Sequence, residues 1–184
     1  MMVKQSRKHQ KRQIELPVDR SFWDFRLPVD QLNDAITRYS FQLREQDRQI
    51  LADRLDVSGF TSITGEIKIS ELATRCWQVD FSIFFDVVQP CIVSFDDVSE
   101  KVEFVEQERY IDTLDTAEEM SGEQLDLEAL DNGHIPLGEA VAQLVSVHLP
   151  AFPRSTTADK IMDENARTGD ISPFHKLSEL KKPQ

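Results

Sequence analysis

Glycine is scarce in this chain, with six residues in 184, and so are cysteine, with two, and histidine, with four. So few glycines leave little scope for loops that cradle phosphates, and neither a G-x-G-x-x-G nor a P-loop pattern occurs. Cys76 and Cys91 have no C-x-x-C or C-x-x-H spacing, so no zinc-type ligand set can be read from them. Nucleophile-elbow and H-E-x-x-H patterns are absent too. Apolar runs are only a few residues long, against the roughly 20 needed to cross a bilayer. The opening MMVKQSRKHQKRQ is basic without the apolar stretch of a secretory signal. Together these features lead us to expect a cytoplasmic protein with free thiols, not an enzyme, with no cofactor, metal, membrane contact or small-molecule substrate.

Charge, by contrast, is abundant and unevenly placed. The chain carries 33 Asp and Glu against 21 Lys and Arg, a net charge of −12. Residues 96–131 hold 14 of those acids and only Lys101 and Arg109 as bases, so this stretch accounts for the whole imbalance. Such a belt repels nucleic-acid phosphates and attracts basic partners. The bland reading is a loop kept soluble by its charge. Residues 1–13 hold Lys4, Arg7, Lys8, Lys11 and Arg12 and no acid, the pattern of a disordered basic arm.

Period-2 alternation dominates the middle of the chain. Residues 62–70 set Ile63, Ile67 and Ile69 against Thr64, Glu66 and Lys68, and residues 76–85 set Val79, Phe81, Ile83 and Phe85 against Gln78, Asp80 and Ser82. Val98, Val102 and Phe104 alternate with Ser99, Lys101 and Glu103. These are antiparallel strands with one wet face, with turns expected near Glu71–Thr74 and at Asp96–Asp97. No glycine or turn dipeptide interrupts 77–95, so that span reads as one long strand, bulged or edged at Pro90. Residues 35–43 read as a further strand, and 21–29 as a half-buried one with Trp23, Phe25 and Leu27 inward. Residues 45–55 read as a short helix. After a turn at Asn132–Gly133, the residues Leu137, Val141, Leu144, Val145 and His148 follow a 3.6-residue period, an amphipathic helix lying on the sheet. The end carries Phe174, Leu177 and Leu180 followed by Lys181 and Lys182, which reads as a docking tail or a short terminal helix.

Few residues offer chemistry. A strand of 15 residues separates Cys76 from Cys91 by roughly 50 Å, too far for a disulfide or a shared metal. Cys91 sits among Val87, Val88, Ile92 and Val93, where a thiol is packing unless a base activates it. Asp96–Asp97 and Glu118–Glu119 are sequence neighbours in presumed turns or linker, not carboxylates converging on a cleft. The arm and the terminal lysines could each neutralise a few phosphates without reading bases.

Three stretches taken in order carry a resemblance. VVQPCIVSFDDVSEKVEF (87–104), IPLGEAVAQLVSVHLPAFPR (135–154) and SPFHKLSELKK (172–182) resemble the YceD-like bacterial family, named for accumulation of large-subunit ribosomal RNA. The likeness is to its alphaproteobacterial branch, with a Q-x-C-V-V-T-L-E-P strand and turn, a D-L-G-E helix start and a P-F-x-x-L-x-x-L-K tail. Gln89 and Cys91 fall on the strand motif, Leu137, Gly138 and Glu139 on the helix start, and Pro153 and Arg154 on the segment after the helix. Ser94 stands where other branches carry a second cysteine, which removes any metal site there. Asp97 replaces a usual proline and Pro136 a usual aspartate. The resemblance implies a non-enzymatic role in ribosome assembly, through contact with ribosomal RNA or a basic ribosomal protein.

The expected fold is therefore α+β: an antiparallel sheet, either a meander or a partly closed barrel, with two or three packed helices and disordered termini. A basic arm (1–13), one domain (14–153) with an acidic linker at 106–131, and a flexible tail (154–184) make up the chain. RNA contact is expected at Lys8, Lys11, Arg12, Lys181 and Lys182. Two rivals stand beside this reading: a generic module that recruits a basic protein through the acidic belt, and a thiol enzyme centred on Cys91.

Overall fold

The computed structural model describes residues 11–14, 20–32, 36–112, 127–158, 160 and 161. Its centre is a meander of four antiparallel strands, β3 (Ile36–Gln42), β4 (Gly59–Ala73), β5 (Cys76–Pro90) and β6 (Asp97–Ile111). Two short parallel strands extend it: β1 (Lys11–Gln13) beside β3, and β7 (Leu127–Ala129) beside β6. The order is β1-β3-β4-β5-β6-β7, and the sheet stays open. A separate two-stranded ribbon joins β2 (Leu27–Pro28) to β8 (His134–Ile135). The class is α+β, as the sequence pattern implies.

Alternation decides which face is buried. Ile63, Ile67, Val79, Phe81, Phe85 and Val87 are at most 0% exposed and line the inner face. Two helices cover that face, α1 (Glu45–Leu55) through Leu51 and Ala52, and α2 (Leu137–Val147) through Leu137, Val141 and Val145. Gly65 lies in mid-strand because the Phe41 ring occupies the space beside it: a Cβ there would come within 2.6 Å of that ring and 2.9 Å of the Ser82 carbonyl. The hairpin at Asn132–Gly133 forms with both residues at positive φ, as the Asn-Gly pair requires.

Four expectations need correction or adjustment. Residues 21–29 do not form a strand; Phe22–Asp24 curl into a 3-10 turn and only Leu27–Pro28 pair. The cause is Asp47 on α1, whose carboxylate accepts hydrogen bonds from the Ser21 hydroxyl and the Phe22 N–H, turning Phe22 inward. Strand β5 stops at Pro90 instead of running to Phe95. Proline donates nothing to the ladder, and the chain reverses through Cys91 N–H to Asp96 O and Phe95 N–H to Cys91 O. Phe95, at φ +62°, takes the left-handed conformation that glycine ordinarily fills, so no turn residue marked the reversal. The acidic linker is shorter than 106–131, because residues 106–111 belong to β6 and 127–129 to β7. The expected basic arm does not extend through 11–13, because Lys11–Gln13 pair with Arg38–Ser40; residues 1–10 lie outside the described residues.

Candidate functional site

The motif positions gather into two clusters. One joins α1, α2 and the 3-10 turn at Phe22–Asp24. Asp47, 1% exposed, accepts from Ser21 Oγ at 3.0 Å, Phe22 N–H at 3.0 Å and Arg44 Nε at 2.8 Å, while Trp23 Nε1–H donates to its backbone carbonyl at 2.8 Å. Burial pushes the Asp47 pKa up, but Arg44, the Phe22 N–H and Ser21 outweigh it and hold it below the usual carboxylate value. Gly138 closes the same turn from the other side. Its N–H donates to Phe25 O at 3.0 Å, and a Cβ would come within 2.2 Å of Phe22 O. Leu137 is fully buried, and Glu139 forms a two-point pair with Arg54 at 2.6 and 2.8 Å. This cluster fixes the fold.

The second cluster is the turn after β5. Cys91 is 0% exposed, and its Sγ accepts from the N–H groups of Val93 (3.4 Å), Ser94 (3.4 Å) and Ser155 (3.3 Å). Burial pushes the thiol pKa up; the Ser94 hydroxyl and the N–H groups of Ser94, Ser155 and Val93 more than reverse this, to about 6. The same contact ties the turn to residues 153–158. Ile92 N–H donates to Pro153 O at 3.1 Å, the Ser94 and Ser155 hydroxyls meet at 2.8 Å, and Thr157 Oγ1 donates to Asp96 at 2.6 Å. Cys91 is therefore a buried acceptor in a turn rather than strand packing. Nothing in the alternation pattern signals this, since two of its donors are next-door backbone groups and the third lies 64 residues away. Arg154 is exposed beside Pro153. Gln89, near the end of β5, has a buried Oε1 with no donor.

A third feature was missed by sequence reasoning, although its residues fall in the acidic belt. On the inner face of β6, Glu108 meets Glu128 of β7 at a cavity of about 90 Å³, lined also by Tyr110, Pro136, Glu139 and Gln143, and Glu106 adds its charge from two residues along β6. Tyr110 Oη donates to Glu108 at 2.5 Å. Burial raises the Glu108 pKa, the Tyr110 hydroxyl works against it, and the charges of Glu128 and Glu106 add to the rise. Burial, the hydrogen bond to Glu108 and the charges of Glu108 and Glu128 push the Tyr110 hydroxyl up. Glu106 has His148 for a partner: Nε2 lies 3.2 Å away, Nδ1–H donates to Leu144 O, and the ring stacks on Phe104 at 3.9 Å. Among the described residues no cation pairs with Glu108 or Glu128. The register could have been found from sequence only by aligning β6 and β7, and the chain between them carries no periodicity.

Cys76, which opens β5, and Cys91, in the turn just past its end, stay apart, both free and buried. Lys11 and Arg12 lie in β1, on the edge of the sheet opposite the carboxylates; Lys8, Lys181 and Lys182 lie outside the described residues. Among the described residues no three His, Cys, Asp or Glu side chains converge as metal ligands, and no helix is long and apolar enough to cross a membrane. No protein-family model matches the chain, and no curated protein or solved structure matches it either.

Proposed function

We propose that this protein acts by binding: it holds a basic protein segment against the carboxylates of β6 and β7, and in that way supports accumulation of large-subunit ribosomal RNA. One observation carries the binding half. Glu108 is crowded by Glu106 and Glu128 and desolvated, so its charge is held at a cost that a Lys or Arg side chain would relieve. The ribosomal half rests on the motif order 87–104, 135–154 and 172–182. A basic ribosomal protein suits the carboxylate wall better than RNA does, since phosphates are repelled there. A role in RNA contact is left to Lys11 and Arg12 on the far edge, with Lys8, Lys181 and Lys182.

Two measurements test this reading. Full-length protein should retain basic large-subunit ribosomal proteins, with capture falling on added salt and falling about tenfold in Glu108→Gln/Glu128→Gln. Acidification should weaken capture ahead of ordinary carboxylate titration, because a raised Glu108 pKa means it takes up its proton sooner as pH falls. Deletion of the gene should lower mature large-subunit ribosomal RNA. Unchanged RNA and subunit profiles would sink the ribosomal half, and capture of basic proteins unrelated to ribosomes would leave a general recruiting module.

A further inference from the structure

The Cys91 turn displays what a folded chain ordinarily hides. Phe95 is 80% exposed, Ile92 46% and Phe152 75%, on two segments hydrogen-bonded to each other. Phe95 is also held at φ +62°, a conformation unfavourable for an aromatic residue. The turn could relieve both penalties with an asparagine or glycine. Asp96 and Asp97 sit exposed beside this apolar group, with Arg154 the one basic side chain among its immediate sequence neighbours.

A candidate occupant lies within the same chain. Thr157 is bonded to Asp96, and the described chain leaves at Ile161, about 6 Å further along that helical turn. The 23 residues that follow contain Phe174, Leu177 and Leu180 at three-residue spacing, interleaved and followed by Lys176, Lys181 and Lys182. By composition that segment combines apolar side chains with lysines, the complement of a surface that combines Ile92, Phe95 and Phe152 with Asp96 and Asp97. The 12 residues between Ile161 and Phe174 reach about 19 Å as a flexible chain, and a tether of that length gives an effective concentration in the millimolar range. We infer that residues 172–182 dock on the Ile92–Phe95–Phe152 surface, with Lys181 and Lys182 facing Asp96 and Asp97. This surface shares no residue with the carboxylate cavity, so the protein-binding half of the proposed function stands or falls separately; docking would withdraw Lys181 and Lys182 from the RNA contact left to them above.

Photo-crosslinking in the full chain tests the docking. With benzoylphenylalanine in place of Leu177, crosslinks should map to residues 91–97 and 152–158, in a yield independent of protein concentration. Phe95→Asn should lower that yield at least fivefold while the protein unfolds no more easily than wild type, since asparagine accepts the left-handed conformation. Hydrogen exchange in 91–97 should quicken about tenfold in Phe174→Ser/Leu180→Ser and stay unchanged in β4. Crosslinks that fall elsewhere overturn the proposal, as does a yield that rises with concentration, which would assign the surface to a second copy. Exchange in 91–97 that is indifferent to the tail substitutions overturns it as well.

Discussion

Asp47 and Cys91 do the same job with different chemistry. Each is a buried acceptor that takes at least one backbone N–H from a segment distant in sequence, and each fixes a turn. Asp47 has a cation, Arg44, among its partners, and its pKa lies below an already low carboxylate value. It stays charged at any pH the protein meets in a cell. Cys91 accepts from dipoles alone, with the Asp96 carboxylate sharing Ser94 and Ser155 beside it, and its pKa is drawn down to about 6. The first anchor is permanent, and the second is conditional on the thiol being ionised. Phe22, Leu51 and Ala52 are buried beside Asp47, whereas beside Cys91 two phenylalanines stand in solvent. A rigid anchor serves the core, and a conditional one serves a surface.

The comparison breaks most visibly at Asp47. Asp47→Ala should lower unfolding stability by about 4 kcal/mol, because it strands Arg44 and two donors beside a buried site; urea denaturation measures it. Gly138→Ala comes next, at about 3 kcal/mol. Its new Cβ meets the Phe22 and Trp23 carbonyls, backbone atoms that cannot swing aside. If Gly138→Ala were neutral, the turn between the helices would be looser than its contacts imply.

Cys91→Ala should destabilise less than either, and the pH dependence distinguishes the two anchors. A thiol with its folded pKa depressed to about 6, against roughly 8.5 in the unfolded chain, contributes fully above the unfolded value. That contribution declines as pH falls from about 8.5 to about 6 and is gone below it. The stability gap between wild type and Cys91→Ser should therefore close on acidification across that window. For Asp47, with a lowered carboxylate pKa, the corresponding loss begins only below about pH 4. A gap at Cys91 that ignores pH would mean that the sulfur is held as a neutral thiol.

The two clusters also differ in how legible they were. Strict alternation over β4, β5 and β6, and the period of α2, report burial directly, so the meander and its covering helix could be read from residue order. Asp47 could not, because a carboxylate in the first turn of a helix looks like an ordinary response to the helix dipole. Nothing local says that it faces Ser21 and Phe22 across 25 residues. Cys91 failed for a related reason. Its apolar neighbours predict packing, while its donors come from a reversal made by Phe95, a residue no turn rule selects. Gly138 and Glu139 were singled out by resemblance alone, and contacts now separate them: one is a steric necessity, the other a surface ion pair.

That separation gives the smallest prediction. Arg54 and Glu139 meet through two hydrogen bonds, and the pairing lowers the Glu139 pKa and raises that of Arg54. Yet the side chains are 48% and 39% exposed, so solvent screens the attraction and the shifts overstate what the pair contributes to folding. Arg54→Ala should cost about 0.5 kcal/mol, and less in high salt. A loss several times larger would mean that the pair orients α2 on α1, and Glu139 would then belong with Gly138 among the residues that set the turn. A loss near the expected value leaves Glu139 as one more carboxylate lining the cavity of Glu108 and Glu128. Freed of Arg54, it should then strengthen capture of a basic partner, which the retention assay would register as a gain.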